Sequence, residues 1–378
     1  MPSSKPCHGR RILTVIGARP QFVKAALLSR ALRKASGIDE IIVHTGQHYD
    51  PSMSAVFFRE LGIPEPYCNL NAGGGSAAGQ IGGMMKGLES LMVKKRPDLV
   101  LVYGDTNSTL AGALTAARLR IPVAHVEAGL RSFNQSMPEE VNRVVADHVS
   151  TLLFCPTRNA VNNLKKEGIV GNVFLTGDVM YESTLAFAKI AGRKSRILAQ
   201  WSLRKGNYAL ATIHRAENTE SRERLTAILT ALRNAAKKRK IVLPLHPRTK
   251  KMIVRYGLKP LLQGITALGP VGFLDMICLE KNAECIITDS GGVQKEAYYH
   301  RVPCLTLRDE TEWVETVKAG WNTLVDVKNA PALLPKLLDS LSKKKKREIP
   351  EYEAKNASKA ICAKITAFLK TPFKGTFA

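Results

Sequence analysis

Short β-branched and aliphatic runs alternate with longer amphipathic segments from one end of this 378-residue chain to the other. Such alternation is typical of βα units, which build a parallel sheet covered by helices. The pattern starts again after a helical connector over residues 180–193. We therefore predict an α/β protein with two Rossmann-like domains, because one domain usually takes about 150 residues.

The predicted strands set the domain boundaries. In the first half they are Ile12–Ile16, Ile41–Thr45, Leu99–Tyr103, Val123–Val126, Leu152–Cys155 and Val173–Leu175, and in the second half Tyr208–Ile213, Ile241–Leu245, Ile265–Leu268, Cys285–Thr288, Pro303–Thr306 and Thr323–Val325. We place an N-terminal domain at residues 1–178, a C-terminal domain at 179–350 and a final segment at 351–378, with one amphipathic helix over 351–370. Ligands bind beyond the carboxyl ends of parallel strands, so two facing halves predict a central cleft.

Charge and cysteine usage narrow the class of protein. Lys and Arg number 56 against 32 acidic residues, and the net charge of +24 predicts attraction to anions. Many cations fall in runs such as 237–240 and 343–347, for which a solvated surface is the favoured interpretation, without a nucleic-acid-binding signature. The seven cysteines are scattered, and no stretch reaches membrane-spanning length. We expect a cytoplasmic protein with no metal site, no nucleic-acid partner and no membrane partner.

The turn after the first strand carries two cations. That strand ends in Gly-Ala-Arg-Pro at residues 17–20, and Lys24 follows one helical turn later. Free backbone N–H groups and the helix dipole favour an anion at such a turn. Arg19 and Lys24 are therefore candidate anion ligands, with ordinary surface charges as the alternative.

Three acidic residues lie at strand ends or helix starts of the first half. Asp105 and Glu127 each follow a predicted strand, and Glu139 lies at the start of a helix. Asp105 and Glu139 could be helix caps, and Glu127 could pair with Arg131 or Arg143. Three at one edge of the sheet favour acid–base chemistry instead.

The second half places a histidine and an arginine after each of its first two strands. His214 precedes Arg215, and His246 lies two residues before Arg248. A buried, hydrogen-bonded histidine is the usual alternative, but the repeated arrangement suits binding of a diphosphate.

The most specific stretch is a strand followed by Ser290, Gly291 and Gly292, with Glu296 one helical turn later. Ser290 is predicted to cap the helix, so that the glycine N–H groups can approach a phosphate closely. A carboxylate at Glu296 can accept both hydroxyls of a ribose. The glycines could serve tight turn geometry alone, but the combination indicates a nucleotide-sugar site.

Taken together and in their order along the chain, these motifs resemble those of the non-hydrolysing UDP-N-acetylglucosamine 2-epimerase family, over about residues 11–325. The matching motifs are Gly-Ala-Arg-Pro at 17–20 with Lys24, Thr-Gly-Gln-His at 45–48, Gly-Asp-Thr at 104–106, His-Val-Glu-Ala-Gly-Leu-Arg at 125–131, Pro-Glu-Glu at 138–140 with Asn142 and Arg143, His-Arg-Ala-Glu-Asn at 214–218, and the Ser-Gly-Gly helix.

The resemblance implies a fold of the GT-B type, with a C-terminal helix that returns to the first domain, and a homodimer. It implies anti elimination of UDP to give 2-acetamidoglucal, then re-addition on the other face, with neither nicotinamide nor metal. Asp105, Glu127 and Glu139 would remove and deliver the C2 proton, with the division between them left open. His214 would stabilise the departing diphosphate. The substrate-binding residues implied are Arg19, Lys24, His48, Arg143, His246, Ser290, Gly291, Gly292, Glu296 and Arg308.

Two departures from the family pattern bear on regulation and substrate. After Gln-His, bacterial members commonly continue with Arg-Glu-Met, in a region that binds an activating second UDP-GlcNAc. Here Tyr49, Asp50 and Pro51 follow, which leaves allosteric activation open. Trp313 and Val314 stand where many members have Arg-Pro. With the Gly-Gly-Gly-Ser loop at 73–76, this is similar to the branch acting on UDP-2,3-diacetamido-2,3-dideoxy-glucuronic acid, which we keep as the alternative substrate.

Two further classes of function remain as alternatives. A GT-B glycosyltransferase would share the fold and the Ser-Gly-Gly helix, but it would not need three carboxylates in the first domain. A non-catalytic nucleic-acid-binding role is motivated by the net charge of +24, and the presence of every motif acid argues against it.

Overall fold

The computed structural model describes residues 9–47, 58, 61–341, 345–353 and 356–371. The chain forms two compact units. The first comprises Met1–Ser183 together with Pro350–Ala378, and the second comprises Thr184–Ile349. The chain therefore leaves the first unit once and re-enters it near its C-terminal end.

Within the described residues, the first unit contains a seven-stranded sheet in the order β3-β2-β1-β4-β5-β6-β7. All of its strand pairs are parallel. The strands are β1 (Arg10–Ile16), β2 (Ile38–His44), β3 (Cys68–Asn69), β4 (Leu99–Tyr103), β5 (Val123–Val126), β6 (Leu152–Cys155) and β7 (Val173–Leu175). The strand order reverses between β1 and β4, the point at which open α/β sheets bind ligands.

Helices cover both faces of this sheet, and local sequence explains where they begin. They are α1 (Arg19–Lys34), α2 (Ala77–Lys95), α3 (Asn107–Arg118), α4 (Pro138–Val149), α5 (Arg158–Lys166) and α6 (Val179–Lys194), the last of which continues into the second unit. Pro20 occupies the first turn of α1, where no intrahelical N–H bond is lost. The Thr106 side chain accepts a hydrogen bond from the Thr109 N–H and caps α3, so the helix begins at Asn107.

The second unit repeats the same strand order. Its described residues form a six-stranded parallel sheet in the order β10-β9-β8-β11-β12-β13. The strands are β8 (Ala209–Thr212), β9 (Ile241–Pro244), β10 (Ile265–Leu268), β11 (Cys285–Thr288), β12 (Cys304–Thr306) and β13 (Asn322–Leu324). The helices are α7 (Ile197–Gln200), α8 (Ala216–Thr219), α9 (Arg222–Ala236), α10 (Pro247–Arg255), α11 (Phe273–Asn282), α12 (Gly291–Tyr299), α13 (Val314–Lys318) and α14 (Ala330–Ser340), with a 3-10 helix at Lys259–Leu262.

The C-terminal segment belongs to the first unit. After a 3-10 helix at Pro350–Glu353, helix α15 (Ala357–Lys370) packs against α1. The Ser358 N–H donates to Glu182 Oε2 over 2.9 Å. The predicted single helix over 351–370 is wrong at its start, because Asn356 takes a left-handed backbone with φ of 71° and cannot continue a right-handed helix.

The predicted fold class is confirmed, since two parallel sheets with Rossmann-like strand order account for the described residues. The predicted strands agree with the observed ones to within a few residues at each end. The two-residue strand β3 was missed, because it contains no aliphatic run. No helix in the described part of the chain is long and apolar enough to span a bilayer.

Candidate active site

The first feature of the site is a buried ion pair at the carboxyl edge of the first sheet. Lys24 Nζ, from α1, lies 2.7 Å from Glu127 Oε1, just beyond the end of β5. Their side chains are 8% and 7% exposed, so both charges are largely removed from water. Lys24 was not among the partners predicted for Glu127.

Glu127 has an unusual backbone conformation. Its φ of 74° lies in the left-handed region, which a long side chain rarely adopts and which persists only when surrounding contacts enforce it. The N–H groups of Glu127 and Ala128 both donate to the Phe154 carbonyl, at 3.0 and 3.1 Å. Strain of this kind, held in place by neighbours, is concentrated at functional sites.

The turn after β4 brings a second carboxylate close to the first. Gly104 also has a left-handed φ, of 63°, and a Cβ at this position would lie 2.9 Å from Lys24 Nζ and 3.7 Å from Glu127 Oε1. The Lys24–Glu127 pair therefore packs directly against the backbone that carries Asp105. A side chain larger than hydrogen at Gly104 would be strained and would displace the pair.

Asp105 is held by α4. Arg143 Nη2 lies 2.5 Å from Asp105 Oδ2, and the Asn142 side-chain amide donates to the Asp105 carbonyl over 2.9 Å. Arg143 is 3% exposed, whereas Asp105 is 29% exposed. The carboxylate is thus fixed from behind by a buried cation and keeps one side open to a ligand.

The two adjacent acids at the start of α4 have different environments. Glu140 is buried and accepts hydrogen bonds from the Ser132 N–H and hydroxyl and from the Phe133 N–H, and it also pairs with Arg143. Glu139 is half-buried, and no hydrogen bond of its side chain is found within the described residues. Glu139 and Arg143 are four residues apart, so they share the helix face that meets Asp105. Glu140 therefore braces the loop, and Glu139 is the acid available for chemistry.

Behind these acids lies a buried network that sequence reasoning did not identify. His125 Nδ1 lies 2.7 Å from Asp147 Oδ1, and His125 Nε2 lies 2.7 Å from the Gly104 carbonyl. Asp147 Oδ2 also accepts from the Gly129 N–H and from Arg131 Nη1. The two ring nitrogens of His125 thus face a carboxylate and a backbone carbonyl. The network ties the loops after β4 and β5 to α4.

The charges in this network reinforce one another. Burial raises the pKa of Asp147, but His125 and Arg131 outweigh it, so that the net pKa is lowered. Arg131 in turn forms a bidentate pair with Glu167. The motif residues His125 and Arg131 therefore position the site, and Glu127 between them faces it.

The turn after β1 differs from the prediction. The N–H groups of Gly17 and Ala18 were expected to be free for an anion, but both donate to Gln21 Oε1, at 2.8 and 3.1 Å. The Gln21 amide donates onward to the Tyr103 carbonyl over 3.0 Å. Gln21 therefore fastens the first turn to the end of β4, and the expectation of free N–H groups at these two residues was wrong.

The remaining predicted residues of this edge are only partly described. Arg19 begins α1. Gln47 Oε1 accepts from the Ser108 N–H and hydroxyl at 3.0 and 2.6 Å, so the Thr-Gly-Gln motif packs on the start of α3. His48 lies outside the described residues, as do Tyr49, Asp50 and Pro51.

At the carboxyl edge of the second sheet, a buried carboxylate organises the loop after β8. Asp289, which is 0% exposed, accepts hydrogen bonds from the backbone N–H groups of His214 and Arg215 and from the Asn218 side chain, all at 3.1–3.2 Å. His214 Nδ1 lies 3.6 Å from the same carboxylate. Sequence reasoning missed the role of Asp289, although an acid at the end of a buried strand was a signal for it.

The two predicted histidines are neighbours. The ring centroids of His214 and His246 are 5.5 Å apart. His214 has a 39% exposed side chain, so it can contact a ligand. His246 Nδ1 accepts from the Arg248 N–H and caps α10, and the Arg248 guanidinium points toward the His214 carbonyl. The structure thus brings His214, His246 and Arg248 together.

Helix α12 begins at the same edge. Ser290 is its N-cap residue, as predicted, but its side chain makes no capping hydrogen bond. Its own N–H donates to Thr288 Oγ1 over 2.9 Å. A Cβ added at Gly292 would meet nothing within 4 Å, which leaves the first turn of α12 open on that side. Glu296 lies in the same helix and is half-buried.

A buried cluster lies beside this first turn. Arg308, which is 4% exposed, pairs with Glu312 over 3.0 Å, and Lys295 Nζ lies 3.9 Å above the Trp313 ring. A Cβ at Gly291 would overlap the Glu312 carboxylate, so a glycine is required there. Arg308 therefore lies next to the open turn and is held by Glu312.

The chain thus has two Rossmann-like units. The first carries cation-paired carboxylates at its ligand edge, and the second carries an open helix start beside two histidines. The profile of the UDP-N-acetylglucosamine 2-epimerase family matches residues 30–366, and the chain belongs to this family. It is an epimerase of nucleotide-linked sugars. No group of three His, Cys, Asp or Glu side chains that could hold a metal ion is present in the part of the chain that the structure describes.

Three comparisons illustrate the relationship. The chain is 51% identical over 337 residues to the UDP-N-acetylglucosamine 2-epimerase homolog of Methanococcus maripaludis, covering 88% of this chain and 92% of the relative. It is 51% identical over 322 residues to the UDP-2,3-diacetamido-2,3-dideoxy-D-glucuronate 2-epimerase of Pseudomonas aeruginosa, covering 83% and 88%. The crystal structure of Methanocaldococcus jannaschii UDP-GlcNAc 2-epimerase in complex with UDP-GlcNAc and UDP matches with a TM-score of 0.87 at 42% identity, covering 95% and 99%.

Proposed function

We propose that this protein inverts the configuration at C2 of a UDP-linked N-acetylhexosamine and that UDP-N-acetylglucosamine is its substrate. The reaction would proceed by elimination of UDP across C1 and C2, followed by re-addition of UDP to the other face of the 2-acetamidoglucal intermediate. The observation that carries the proposal is the pair of carboxylates, Asp105 and Glu127, fixed by Arg143 and Lys24 at one edge of the first sheet.

The acids support a two-sided proton transfer. Inversion requires one group to remove the C2 proton and another to deliver a proton to the opposite face. Asp105 is partly exposed, Glu127 is fixed by its strained backbone, and Glu139 is half-buried on the helix face that carries Arg143. The three acids lie on three different elements, and we assign them to the two faces of the sugar ring.

The second unit supports binding of the leaving group. A departing diphosphate gains negative charge, which N–H groups at a helix start and nearby cationic side chains stabilise. We assign Ser290, Gly291 and Gly292 to the phosphates, Glu296 to the ribose hydroxyls, and His214, His246 and Arg308 to the diphosphate. Arg19, Lys24, His48 and Arg143 are assigned to the same substrate from the first half of the chain.

One observation favours a second candidate substrate. The 51% identical Pseudomonas aeruginosa relative is a UDP-2,3-diacetamido-2,3-dideoxy-D-glucuronate 2-epimerase. Trp313, the residue that departs from the common Arg-Pro pattern, is 3% exposed and lies beside the first turn of α12. UDP-2,3-diacetamido-2,3-dideoxy-glucuronic acid is therefore the alternative substrate.

Proton NMR of the purified protein with each UDP-sugar in D2O tests the proposal. We expect solvent deuterium at C2 and a second UDP-sugar epimer, formed without any acceptor. A larger kcat/KM for the diacetamido uronate would assign the alternative substrate. No product from either sugar until an acceptor is added would instead identify a glycosyltransferase.

We also propose a compartment and an assembly for the protein. Six cysteines within the described residues are free thiols, which supports a reducing compartment such as the cytoplasm. A homodimer follows from the family alone. Analytical ultracentrifugation at several protein concentrations measures the oligomeric state directly.

A further inference from the structure

The basic residues of the second unit are not scattered over its surface. The topology places many of them at the amino ends of β8, β9, β11, β12 and β13, the edge of the sheet opposite the candidate nucleotide site. We call this edge the amino-edge surface and define it by twelve residues: Arg204, Lys205, Lys237, Lys238, Arg239, Lys240, Lys281, Arg301, Lys318, Lys345, Lys346 and Arg347. Ten of them are exposed, and Arg239 and Lys346 are half-buried.

Hydrogen bonds join neighbouring segments of the amino-edge surface. Lys240 Nζ donates to the Trp201 and Ser202 carbonyls at 3.2 and 3.3 Å, which joins the 237–240 run to the turn before β8. The Gly206 N–H donates to the Asn282 carbonyl over 2.8 Å and joins that turn to the end of α11. The Arg347 N–H donates to the Ala319 carbonyl over 2.9 Å and joins residues 345–347 to the end of α13.

Few carboxylates offset this charge. Within the described residues, Glu284 and Asp339 pair with Arg239, Asp339 also pairs with Lys238, and Glu348 lies 3.8 Å from Arg301. No carboxylate lies within ion-pair distance of the other nine cations in that part of the chain. A cation at the end of a helix is ordinary, because the helix dipole favours it. Several of the twelve cations lie in turns and not at helix ends, so the helix dipole does not account for them. Their position favours binding of an external anion.

An exposed aromatic ring and a cavity lie at one end of the surface. Trp201 is 41% exposed and sits beside Lys240. A cavity of about 330 Å³ near this end of the surface is lined by the apolar side chains of Ala188, Leu198 and Cys278, by polar groups, and by the cations Arg196 and Lys281. Apolar walls combined with cations suit a ligand that is both anionic and hydrophobic.

We propose that the amino-edge surface binds the face of a bilayer that contains anionic phospholipids, with Trp201 entering the interface. Clustered Lys and Arg residues attract anionic lipids by about 1 kcal/mol for each cation near the surface. Tryptophan is enriched at the membrane–water interface. Six strands at a spacing of about 4.8 Å give this edge a breadth of roughly 25 Å, a face and not a groove.

Nucleic acid fits these observations less well. Single-stranded binding uses several aromatic rings along a basic groove, and this surface offers one exposed tryptophan at its end. Lysines outnumber arginines by eight to four on the surface, whereas arginine forms the bidentate contacts typical of phosphate recognition. The inference departs from our expectation of no membrane partner, which rested on the absence of an apolar span. Peripheral binding needs no such span.

Binding would leave the nucleotide site of this unit accessible. The candidate site lies at the carboxyl edge of the same sheet, and the amino-edge surface lies at the other end of its strands. A unit attached through its amino edge would therefore present the loops after β8 and β11 away from the lipid.

Vesicle co-sedimentation with two matched variants of the full chain tests the proposal. The first reverses Lys205, Lys237, Lys281 and Lys345 to Glu, and the second reverses four exposed lysines of the first unit to Glu, Lys94, Lys165, Lys166 and Lys359. Both variants have the same net charge. We expect wild-type binding to vesicles of equal parts phosphatidylcholine and phosphatidylglycerol, and none to phosphatidylcholine alone. The amino-edge variant should bind at least about 100-fold more weakly, since four favourable contacts are lost, and the control by less than about 3-fold.

Further measurements check the folding of the variants, the position of Trp201 and the alternative of nucleic-acid binding. Unchanged circular dichroism and epimerase activity in both variants would show that folding is intact. A blue shift of tryptophan fluorescence on vesicle binding, lost in Trp201→Phe, would place that ring in the interface. Equal losses in the two charge-reversal variants would overturn the proposal, because binding would then follow net charge alone. Tighter binding to RNA than to vesicles at physiological salt, lost in the amino-edge variant, would also overturn it and identify a nucleic-acid surface.

Discussion

The two units share one strand order and use their ligand edges differently. In the first unit, buried Lys24 and Arg143 hold the carboxylates of Glu127 and Asp105 at the ligand edge. In the second unit, the carboxylate at the matching edge, Asp289, is turned inward and holds backbone N–H groups.

The difference shows how one fold can host two kinds of chemistry. In the first unit cations fix acids, so proton transfer is possible without movement of the backbone. In the second unit an acid fixes a loop, so histidines and helix N–H groups are presented to an anion. The first unit buries cations and has carboxylates at its ligand edge. The second unit buries a carboxylate and has histidines and helix N–H groups at its ligand edge.

The largest expected effect is the loss of turnover when an acid at the ligand edge of the first unit is replaced. Asp105→Asn, Glu127→Gln and Glu139→Gln should each lower kcat by at least about 100-fold, the scale of positioned acid–base catalysis. UDP affinity, measured by calorimetry, should change little, because none of these three acids is assigned to the nucleotide. Glu217→Gln, at an exposed acid of the second unit, is the control and should retain turnover. Near-normal kcat in all three variants would show that these acids serve only as structural partners.

The next prediction compares the loss of stability when a buried ion pair and an exposed ion pair are removed. Asp147→Asn should lower the free energy of unfolding by about 3–5 kcal/mol, because it leaves the buried charge of Arg131 without this partner and weakens the contact with His125. Asp339→Asn in the second unit removes a surface pair with Arg239 and should cost much less. Urea denaturation of both variants measures the contrast. Equal losses would mean that the network behind Glu127 contributes no more than a surface pair.

Acid pH should affect the second unit through His300. Burial, together with Lys281, lowers the pKa of His300 from 6.5 to about 4. The unfolded chain takes up this proton first, so stability should fall as pH drops from about 6.5 to about 4, by up to about 3 kcal/mol.

His300→Phe should reduce that slope in pH-dependent urea denaturation. Burial also lowers the pKa of His44 in the first unit, so His44 adds a similar slope that the His300 variant retains. The lowered pKa of Asp147 acts only at more acidic pH, below its usual value of 3.8. An unchanged slope in the His300 variant would assign the acid sensitivity to other groups.

The smallest effect concerns the nucleotide. Glu296→Ala should weaken UDP binding by about 1.5–3 kcal/mol, the range for hydrogen bonds to a charged group. Binding of dUDP should weaken much less, because one hydroxyl partner of the carboxylate is already missing. Calorimetry with both nucleotides gives the comparison, and equal losses would remove Glu296 from the ribose site.

Local pattern was sufficient for most of the fold. Leu99–Tyr103 and Cys285–Thr288 are continuous buried aliphatic runs, so their strands could be placed residue by residue. The short strand β3 and the left-handed turn at Asn356 depend on tertiary contacts, and no periodic pattern in the sequence predicts them.

The site was predictable in its residues but not in its pairings. Glu127 was identified from its place after a strand, but its partner Lys24 is 103 residues away. Gln21 and Asp147 were not identified, because their importance comes from backbone groups that only the folded chain brings near them. Long-range hydrogen bonds of this kind carry no local sequence signal.

The division of the chain has a consequence for its synthesis. The first unit needs α15 against α1, and in α15 the side chains of Ile361 and Ile365 are fully buried. The ribosome delivers α1 before the second unit and α15 after it, whereas the second unit is one uninterrupted stretch, residues 184–349. The part made first must therefore wait with an uncovered apolar helix face while the part made later can finish folding. Chaperones that bind exposed apolar segments during translation should accordingly meet the N-terminal half of this chain for longer than the C-terminal half.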